Sequence, residues 1–338
     1  MIWLRKILFP LALLYWCVTF LRNWLYDKGV LKSHSFDIPV IIVGNLSVGG
    51  TGKTPQIEYL IRLLSEDYQV AVLSRGYKRK TKGFLLADET ATAASIGDEP
   101  FQLHTKFSRV QVAVDAQRKN GIQQLLQVAK RPDVILLDDA FQHRKVKAGL
   151  SILLTAYDDL FCKDFILPYG NLRESALGKK RADMIIVTKC PSNLSDLAQQ
   201  EIIKQLQVTQ PVYFSTIHYD DHIVSAENTC SILEIQQESK VLVAGIAKPK
   251  LFFDYIKKEQ DECLTFPDHH HFSITDCEKI IASAQGKKIV TTEKDFVRLK
   301  GLLPPSQLYY LPIRTMFLNG TNFDTTIKNY VGKSTRNG

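Results

Sequence analysis

A glycine-rich stretch at residues 44–55, GNLSVGGTGKTP, has the residue types and spacing of a phosphate-binding loop. It follows an apolar run at 40–43 and precedes a helical pattern, so that backbone N–H groups and the positive end of a helix dipole meet at one point. In such loops the lysine ammonium contacts the β- and γ-phosphates, and the next hydroxyl ligates Mg²⁺. The residues predicted to bind nucleotide are Ser47, Val48, Gly49, Gly50, Thr51, Gly52, Lys53 and Thr54.

The match to the general pattern is imperfect, because Ser47 occupies the position of the first glycine. The alternative interpretation is a flexible turn between a strand and a helix, whose lysine is only a solvated charge. The Gly-Lys-Thr triplet lies between an apolar strand and a helical pattern, which is the context that the motif requires. We therefore predict a nucleoside triphosphate site at this loop.

Two adjacent carboxylates, Asp138 and Asp139, follow the apolar run at 134–137. A carboxylate at the end of such a strand is the usual second anchor for Mg²⁺ in folds that transfer or hydrolyse phosphoryl groups. We predict that Thr54, Asp138 and Asp139 hold the metal ion. The alternative is that an aspartate caps the loop that follows the strand.

Candidates for proton transfer lie at two distant positions in the chain. Asp98 is part of GDEP, before a helical pattern, and His269 is part of the run FPDHHHF in the second half. Phosphoryl transfer to an alcohol needs a group that accepts the hydroxyl proton. An Asp–His pair drawn from two domains would form that base when a cleft closes. For the run at 269–271, a metal cluster and a purely structural loop are the alternatives.

A third candidate is Arg173, in the segment YGNLRE. A guanidinium binds phosphate through two hydrogen bonds, so this side chain could neutralise charge on a transferring phosphoryl group. The alternative is an exposed structural arginine, and the residues alone leave both interpretations open.

Apolar runs alternate with helical patterns from residue 40 to 188, which predicts a mostly parallel sheet with helices on both faces. Ligands of such sheets bind at the carboxyl ends of the strands, where Gly44, Asp138 and Lys189 fall. We predict an α/β fold of the P-loop NTPase type with a second, smaller α/β domain. The predicted division is an N-terminal helix at 1–30, a nucleotide-binding domain at 31–218, a linker at 219–234, the smaller domain at 235–330 and a tail at 331–338.

The N-terminal segment carries no charge from Ile7 to Leu21 and has basic residues on either side. A helix of this length extends about 22 Å, short of the roughly 30 Å hydrocarbon core, so we do not expect it to span a bilayer. Its apolar and polar residues separate on a helical wheel, as in helices that lie in a membrane interface. A cleaved signal peptide and a helix docked on the protein core are the alternatives. The apolar stripe contains Ile7, Leu11, Leu14, Val18, Leu21 and Leu25, with Trp3, Trp16 and Trp24 as interface anchors.

The 338-residue chain has a net charge of +8, which favours anionic partners such as nucleotides, nucleic acids or anionic lipids. Its six cysteines form no CxxC pair. That spacing argues against a zinc ribbon or a disulfide framework and favours a reducing compartment.

The motifs GNLSVGGTGKTP, SRGY, GDEP, DDAFQHRK, PYGNLRES, FPDHHHF and TTEKD occur in this order behind the apolar N-terminus. Together they resemble the tetraacyldisaccharide 4'-kinase family of lipid A synthesis, and the resemblance covers residues 44–295. It implies an ATP- and Mg²⁺-dependent kinase that phosphorylates the 4' hydroxyl of a lipid A disaccharide 1-phosphate. It also implies a P-loop core, a second α/β domain on a two-stranded linker, and attachment to the cytoplasmic face of a Gram-negative inner membrane.

The resemblance also implies roles for individual residues. By motif, Lys53 and Thr54 hold phosphate and Mg²⁺, Asp138 and Asp139 form the acidic strand end with Gln142 close by, Asp98 and His269 form the catalytic pair, and Arg173 faces phosphate. His270 is the second choice for the histidine. The expected partners are an anionic glycolipid held in the membrane and the membrane surface itself; we expect no nucleic acid partner and a monomer.

Two other functions remain as alternatives. A membrane-associated P-loop ATPase acting as a switch or partitioning module would hydrolyse nucleotide without an acceptor and would need no Asp–His pair. A soluble ligase of the dethiobiotin synthetase type should lack the apolar N-terminus. Both fit the phosphate loop, and neither explains the remaining motifs.

Overall fold

The computed structural model describes residues 7–268, 270–318 and 322–336. Within them, nine strands form a larger sheet in the order β15-β8-β7-β6-β1-β5-β2-β4-β3. Its strands, numbered along the whole chain, are β1 (Val40–Asn45), β2 (Val70–Ser74), β3 (Leu85–Leu86), β4 (Gln111–Val114), β5 (Val134–Asp138), β6 (Leu150–Ala156), β7 (Met184–Thr188), β8 (Val212–Tyr219) and β15 (Ile313–Phe317). The seven central strands, β8, β7, β6, β1, β5, β2 and β4, are parallel to their neighbours. The edge strands β3 and β15 pair antiparallel with β4 and β8.

A smaller sheet has the strand order β10-β9-β14-β13-β11-β12 in the described chain. Its strands are β9 (His222–Val224), β10 (Thr229–Ser231), β11 (Val241–Ala244), β12 (Glu262–Thr265), β13 (Ile289–Thr292) and β14 (Leu308–Leu311). The strands β12, β11, β13 and β14 are parallel to their neighbours. The predicted α/β class, with a mostly parallel sheet and a smaller second sheet, is confirmed.

Helices cover both faces of the larger sheet. The helices are α1 (Phe9–Asp27), α2 (Lys53–Leu64), α3 (Ala93–Ile96), α4 (Asp98–Lys106), α5 (Arg118–Leu125), α6 (Asp196–Leu206), α7 (Ile232–Ile235), α8 (Lys250–Ile256), α9 (Ile274–Ala284), α10 (Glu293–Leu299) and α11 (Phe323–Arg336). The apolar side chains of α5 and α6 pack on one face, and those of α2 and α11 pack on the other. Because both faces are buried, β1, β2, β5 and β7 consist almost entirely of apolar residues.

The C-terminal residues differ from the predicted division. The prediction placed residues up to 330 in the smaller domain, but β15 pairs with β8, and α11 packs on the larger sheet. The predicted tail at 331–338 is also helical as far as Arg336. The physical reason is the four-residue spacing of Phe323, Ile327 and Val331, which places three fully buried side chains on one stripe of α11.

The residues predicted to form a linker, 219–234, contain regular secondary structure. They include β9, β10 and the start of α7, all of which belong to the smaller sheet or pack on it. The chain passes between the sheets twice, and the two passages lie side by side, since the amide of Asp220 donates to the carbonyl of Pro312 at 3.0 Å. The smaller unit is therefore inserted between β8 and β15.

Helix α1 presents two different faces. Its polar face lies on the segments 142–144 and 173–174, with Thr19 buried in the contact. The large apolar residues of the predicted stripe point away from the protein; Leu14 is 63% exposed and Val18 is 59% exposed. Trp3 lies outside the described residues. Among the residues that are described, no helix is both long and apolar enough to cross a membrane.

A buried charge cluster joins the two units. The ammonium of Lys106, in α4, lies 2.8 Å from the carboxylate of Glu58 in α2 and 2.5 Å from that of Glu293 in α10. Burial and the nearby Glu58 carboxylate raise the pKa of Glu293 to about 7, although Lys106 acts in the opposite direction. Arg62 also contacts Glu58, at 3.1 Å, so two cations and two carboxylates meet at the boundary between the units.

This cluster makes stability dependent on pH. Because the pKa of Glu293 is higher in the folded chain than in the unfolded chain, its stabilising contribution is complete below about pH 4.5 and is lost as the pH rises through about 7. We expect Glu293→Gln to remove this part of the decline, so that urea midpoints at about pH 5 and about pH 8 differ less than in the wild type. Glu259→Gln, at an exposed glutamate, is the control and should leave the decline unchanged.

The placement of α11 predicts a core effect from a residue near the C-terminus. Ile327→Ala should lower the free energy of unfolding by about 2–5 kcal/mol, because it removes a fully buried side chain from the core of the larger sheet. Chemical denaturation measures the change, and Asn329→Ala, at an exposed position of the same helix, should change the free energy little. Equal effects of the two substitutions would contradict this placement.

Candidate active site

The loop between β1 and α2 leaves the amino end of α2 open. Gly52 adopts a left-handed conformation with φ of 84°, which glycine tolerates without strain, and α2 begins at the next residue, Lys53. No side chain of the described residues caps this helix, so its first N–H groups keep their capacity to donate. An uncapped helix start with its positive dipole end is suited to bind phosphate.

The end of β7 holds this loop from one side. The hydroxyl of Thr188 donates to the carbonyl of Thr51 at 2.8 Å, and Nζ of Lys189 donates to the carbonyl of Gly50 at 2.5 Å. Burial and the ammonium of Lys248, from the smaller unit, lower the pKa of Lys189. Lys189 contacts the loop and Lys248 of the smaller unit lies near Lys189, and this positive charge favours an anionic ligand.

The two aspartates predicted at the end of β5 have different surroundings. Asp139 has a left-handed backbone with φ of 46°, and both of its carboxylate oxygens lie 2.9 Å from Nη1 of Arg173. The ammonium of Lys53 is 3.8 Å from the same carboxylate. Burial opposes ionisation of Asp139, but Lys53 and Arg173 together lower its pKa. Its charge is therefore balanced by two cations of the site.

Asp138, in contrast, is fully enclosed and incompletely paired. Its Oδ2 accepts a hydrogen bond from the hydroxyl of Ser74 at 3.2 Å, while its Oδ1 is buried and accepts none from the part of the chain that is described. Burial and the neighbouring carboxylates of Glu99 and Asp139 raise the pKa of Asp138 to about 7, and Lys53 opposes them. A cation beside this oxygen would satisfy it and favour the ionised form.

These residues fit a magnesium ion. The described residues contain no group of three or more His, Cys, Asp and Glu side chains that could hold a metal by themselves. Protein sites for Mg²⁺ commonly use one or two carboxylates and complete the shell with phosphate oxygens and water. Asp138 offers an unpaired buried oxygen, and Thr54 occupies the second position of α2. Of the two aspartates, Asp138 is the better candidate ligand.

Gln142, predicted near the nucleotide, lies behind the phosphate loop. Its Nε2 donates to the carbonyl of Asn45 at 2.8 Å and to Oε1 of Glu174 at 3.1 Å. The backbone comes close here: a Cβ on Gly44 would lie 2.6 Å from the Cβ of Phe141, which explains the glycine at the end of β1. Gln142 therefore contacts the backbone where the chain leaves β1 and enters the phosphate loop.

Asp98 begins α4 and points to the smaller unit. Its Oδ2 accepts a charged hydrogen bond from Nε of Arg298, in α10, at 3.0 Å. Arg298 also donates to Asp295 at 3.3 Å, and the carboxylate of Asp295 is anchored by the amide of Gly245 at 2.8 Å. The TTEKD motif, which sequence reasoning left without a role, thus holds the arginine that contacts Asp98.

His269 lies outside the described residues, so its position relative to Asp98 stays a prediction. His270, the second choice, has its Nε2 2.9 Å from the carboxylate of Asp276 in α9 and its ring stacked on Phe266. This histidine is thus engaged within the smaller unit. The described part of the motif follows β12, on the same unit that carries Arg298.

Sequence reasoning missed three charged residues of this region. Glu99 is the second acid of GDEP, so its position in a motif was a signal, and its charge raises the pKa of Asp138. Glu174 is 97% buried behind Arg173, a burial that its sequence position does not reveal. Arg298 lies outside the motifs, and it reaches Asp98 because α10 packs on α4.

Comparisons with known proteins agree over nearly all of the chain. A family model described as LpxK, tetraacyldisaccharide-1-P 4'-kinase, matches residues 4–332. A tetraacyldisaccharide 4'-kinase of Flavobacterium johnsoniae is 62% identical, over 97% of each chain. One of Bacteroides thetaiotaomicron is 46% identical, over 99% of this chain and 95% of its own.

A solved structure agrees with the family match. The crystal structure of LpxK from Aquifex aeolicus in complex with ATP superposes with a TM-score of 0.79 at 30% sequence identity, covering 97% of this chain and 99% of the other. The residues matched by the family model, 4–332, span the phosphate loop, the Asp138–Asp139 pair and the Arg173 segment of this chain. The chain belongs to the tetraacyldisaccharide-1-P 4'-kinase family.

Proposed function

We propose that this protein transfers the γ-phosphate of ATP to the 4' hydroxyl of a tetraacyldisaccharide 1-phosphate, a lipid A precursor. The observation that carries the proposal is the family match along residues 4–332, combined with an intact phosphate loop and an open start of α2. Transfer of radiolabelled γ-phosphate to the purified precursor tests it directly. ATP hydrolysis without labelled lipid would favour a switch-type ATPase instead.

The donor half of the site is formed by the larger unit. Lys53 and the first N–H groups of α2 would bind the β- and γ-phosphates, and Thr54 with Asp138 would hold Mg²⁺. When bound, the metal ion supplies positive charge to the phosphate oxygens during transfer. Arg173 is paired with Asp139 in the structure, and its guanidinium could exchange that carboxylate for the transferring phosphoryl group.

The acceptor half lies between the two units. Asp98 is the proposed proton acceptor for the sugar hydroxyl, with His269 as its partner from the smaller unit. Support comes from the ion pair between Asp98 and Arg298, because it brings the first residue of α4 against the unit that carries the histidine run. Neither residue has a role in binding ATP phosphates in this proposal.

This assignment predicts the effects of three substitutions. Asp98→Asn and His269→Ala should each lower kcat by about 10²–10⁴ while leaving the affinity for ATP nearly unchanged, because each removes proton transfer and leaves the phosphate loop intact. His270→Ala is the matched control, since His270 is engaged with Asp276. Steady-state kinetics with the lipid acceptor and ATP-binding titrations provide the measurements. A larger loss from His270→Ala would move the assignment to that residue.

We further propose that α1 lies on the cytoplasmic face of the inner membrane and that the protein acts as a monomer. The exposed apolar stripe of α1 supports the first part, since burying such a face in the interface region of a bilayer is favourable. The net charge of +8 adds attraction to anionic headgroups. The acyl chains of the substrate could then stay in the bilayer while its sugar enters the site.

The anchor predicts a loss of membrane binding without a loss of folding. Leu14→Asp combined with Val18→Asp should reduce sedimentation with anionic vesicles severalfold, because two charges enter the apolar face. Leu197→Asp, at an apolar residue of α6 that is 79% exposed, serves as the control and should bind vesicles like the wild type. If the double variant still sediments fully, the anchor lies elsewhere in the chain.

A further inference from the structure

The polar face of α1 touches the segment that carries Arg173. The hydroxyl of Tyr15 donates to the backbone carbonyl of Arg173 at 2.8 Å. Two turns further along the helix, Nδ2 of Asn23 donates to Oε2 of Glu174 at 2.6 Å. The helix therefore contacts the main chain of one residue and the side chain of the next.

Glu174 is the centre of a hydrogen-bond network. It is only 3% exposed, and its second oxygen, Oε1, accepts from Nη2 of Arg181 at 2.7 Å and from Nε2 of Gln142 at 3.1 Å. Nε2 of Gln142 also donates to the carbonyl of Asn45, the last residue of β1. A buried carboxylate is costly unless its oxygens are satisfied, so each of these donors matters. The network runs from α1 to the start of the phosphate loop.

Arg173 is held between this network and the loop. Its amide donates to the carbonyl of Leu46 at 2.7 Å, while its carbonyl accepts from Tyr15. Its guanidinium reaches Asp139 on the other side of the loop. Both the amide and the carbonyl of Arg173 are thus hydrogen-bonded, the carbonyl by α1. The direction of the guanidinium therefore depends on the position of α1.

We propose that Glu174 is a positioning residue through which α1 holds Arg173 and the entry of the phosphate loop in place. The helix that faces the membrane thereby also completes the active site. This inference rests on the proposed function, because it is measured as phosphoryl transfer. Asn23 supplies the connection from the helix, and neither Asn23 nor Glu174 needs to touch a reactant.

A reversal of hydrogen-bond polarity tests the proposal in the full-length protein. Asn23→Asp places two carboxylates against each other, so kcat should fall about tenfold or more, as expected when a site group shifts by about an ångström. Glu174→Gln alone should lower kcat less, because a turn of the Asn23 amide can present its Oδ1 to the new donor. In the double variant the new amide can donate to the new carboxylate, and kcat should return to within about threefold of the wild type.

The assay separates positioning from membrane attachment and from stability. Rates are measured at saturating ATP with the lipid acceptor in detergent micelles, and sedimentation with anionic vesicles is measured separately. The matched control is Asn120→Asp, because Nδ2 of Asn120 donates to Asp115 at 2.7 Å in a contact of the same kind. It should lower the melting temperature by a similar amount and leave kcat within about twofold. Asn23→Ala, which introduces no charge, covers the case in which the aspartate variant fails to fold and should lower kcat severalfold.

Three results would overturn the inference. The first is a kcat of Asn23→Asp or Asn23→Ala equal to that of the wild type. The second is a double variant no more active than the worse single variant. The third is a loss of activity that follows vesicle binding and disappears in micelles. A wild-type protein that transfers no phosphate to lipid would instead overturn the proposed function, and this inference with it.

Discussion

The hydrogen-bond register between β1 and its two parallel neighbours is the constraint on which the rest of the structure depends. Val43 pairs with Asp138 of β5, and Gly44 pairs with Leu153 of β6. The glycine-rich loop and the acidic strand end therefore leave the sheet at the same level. A shift of one residue would turn Asp138 to the other face of the sheet and separate the metal ligand from the phosphate loop.

Charge balance explains why two adjacent aspartates behave differently. Asp139 lies in a left-handed turn that directs it to Lys53 and Arg173, and these cations keep it ionised. Asp138 remains within the strand and is only 3% exposed, so its charge is costly without a further cation. The same dipeptide thus provides one carboxylate that orders the site and one that is suited to a metal ion.

The sequence predicted the larger sheet well, because its strands are continuous apolar runs and its loop motifs fall at their ends. Lys53, Asp138, Asp139 and Arg173 do come together.

The features that the sequence could not predict depend on long-range packing. Strand β15 has no apolar run, since alternate residues of an edge strand are exposed, and its pairing with β8 is set by the insertion. The four-residue spacing of Phe323, Ile327 and Val331 does indicate the helix α11, but the predicted division did not use it. The burial of Glu174 and the contact between Arg298 and Asp98 depend on tertiary packing, which the motifs do not reveal.

The insertion of the smaller unit between β8 and β15 has a consequence for the order of synthesis. Residues 220–312 form a continuous segment with its own sheet and core, so this unit can fold as soon as it leaves the ribosome. The larger unit starts earlier but lacks an edge strand and the α11 stripe until residues 313–331 are made. The nucleotide-binding half is thus begun before the smaller unit and completed after it, and until then its sheet has an unpaired edge and an uncovered apolar face, which are prone to aggregation.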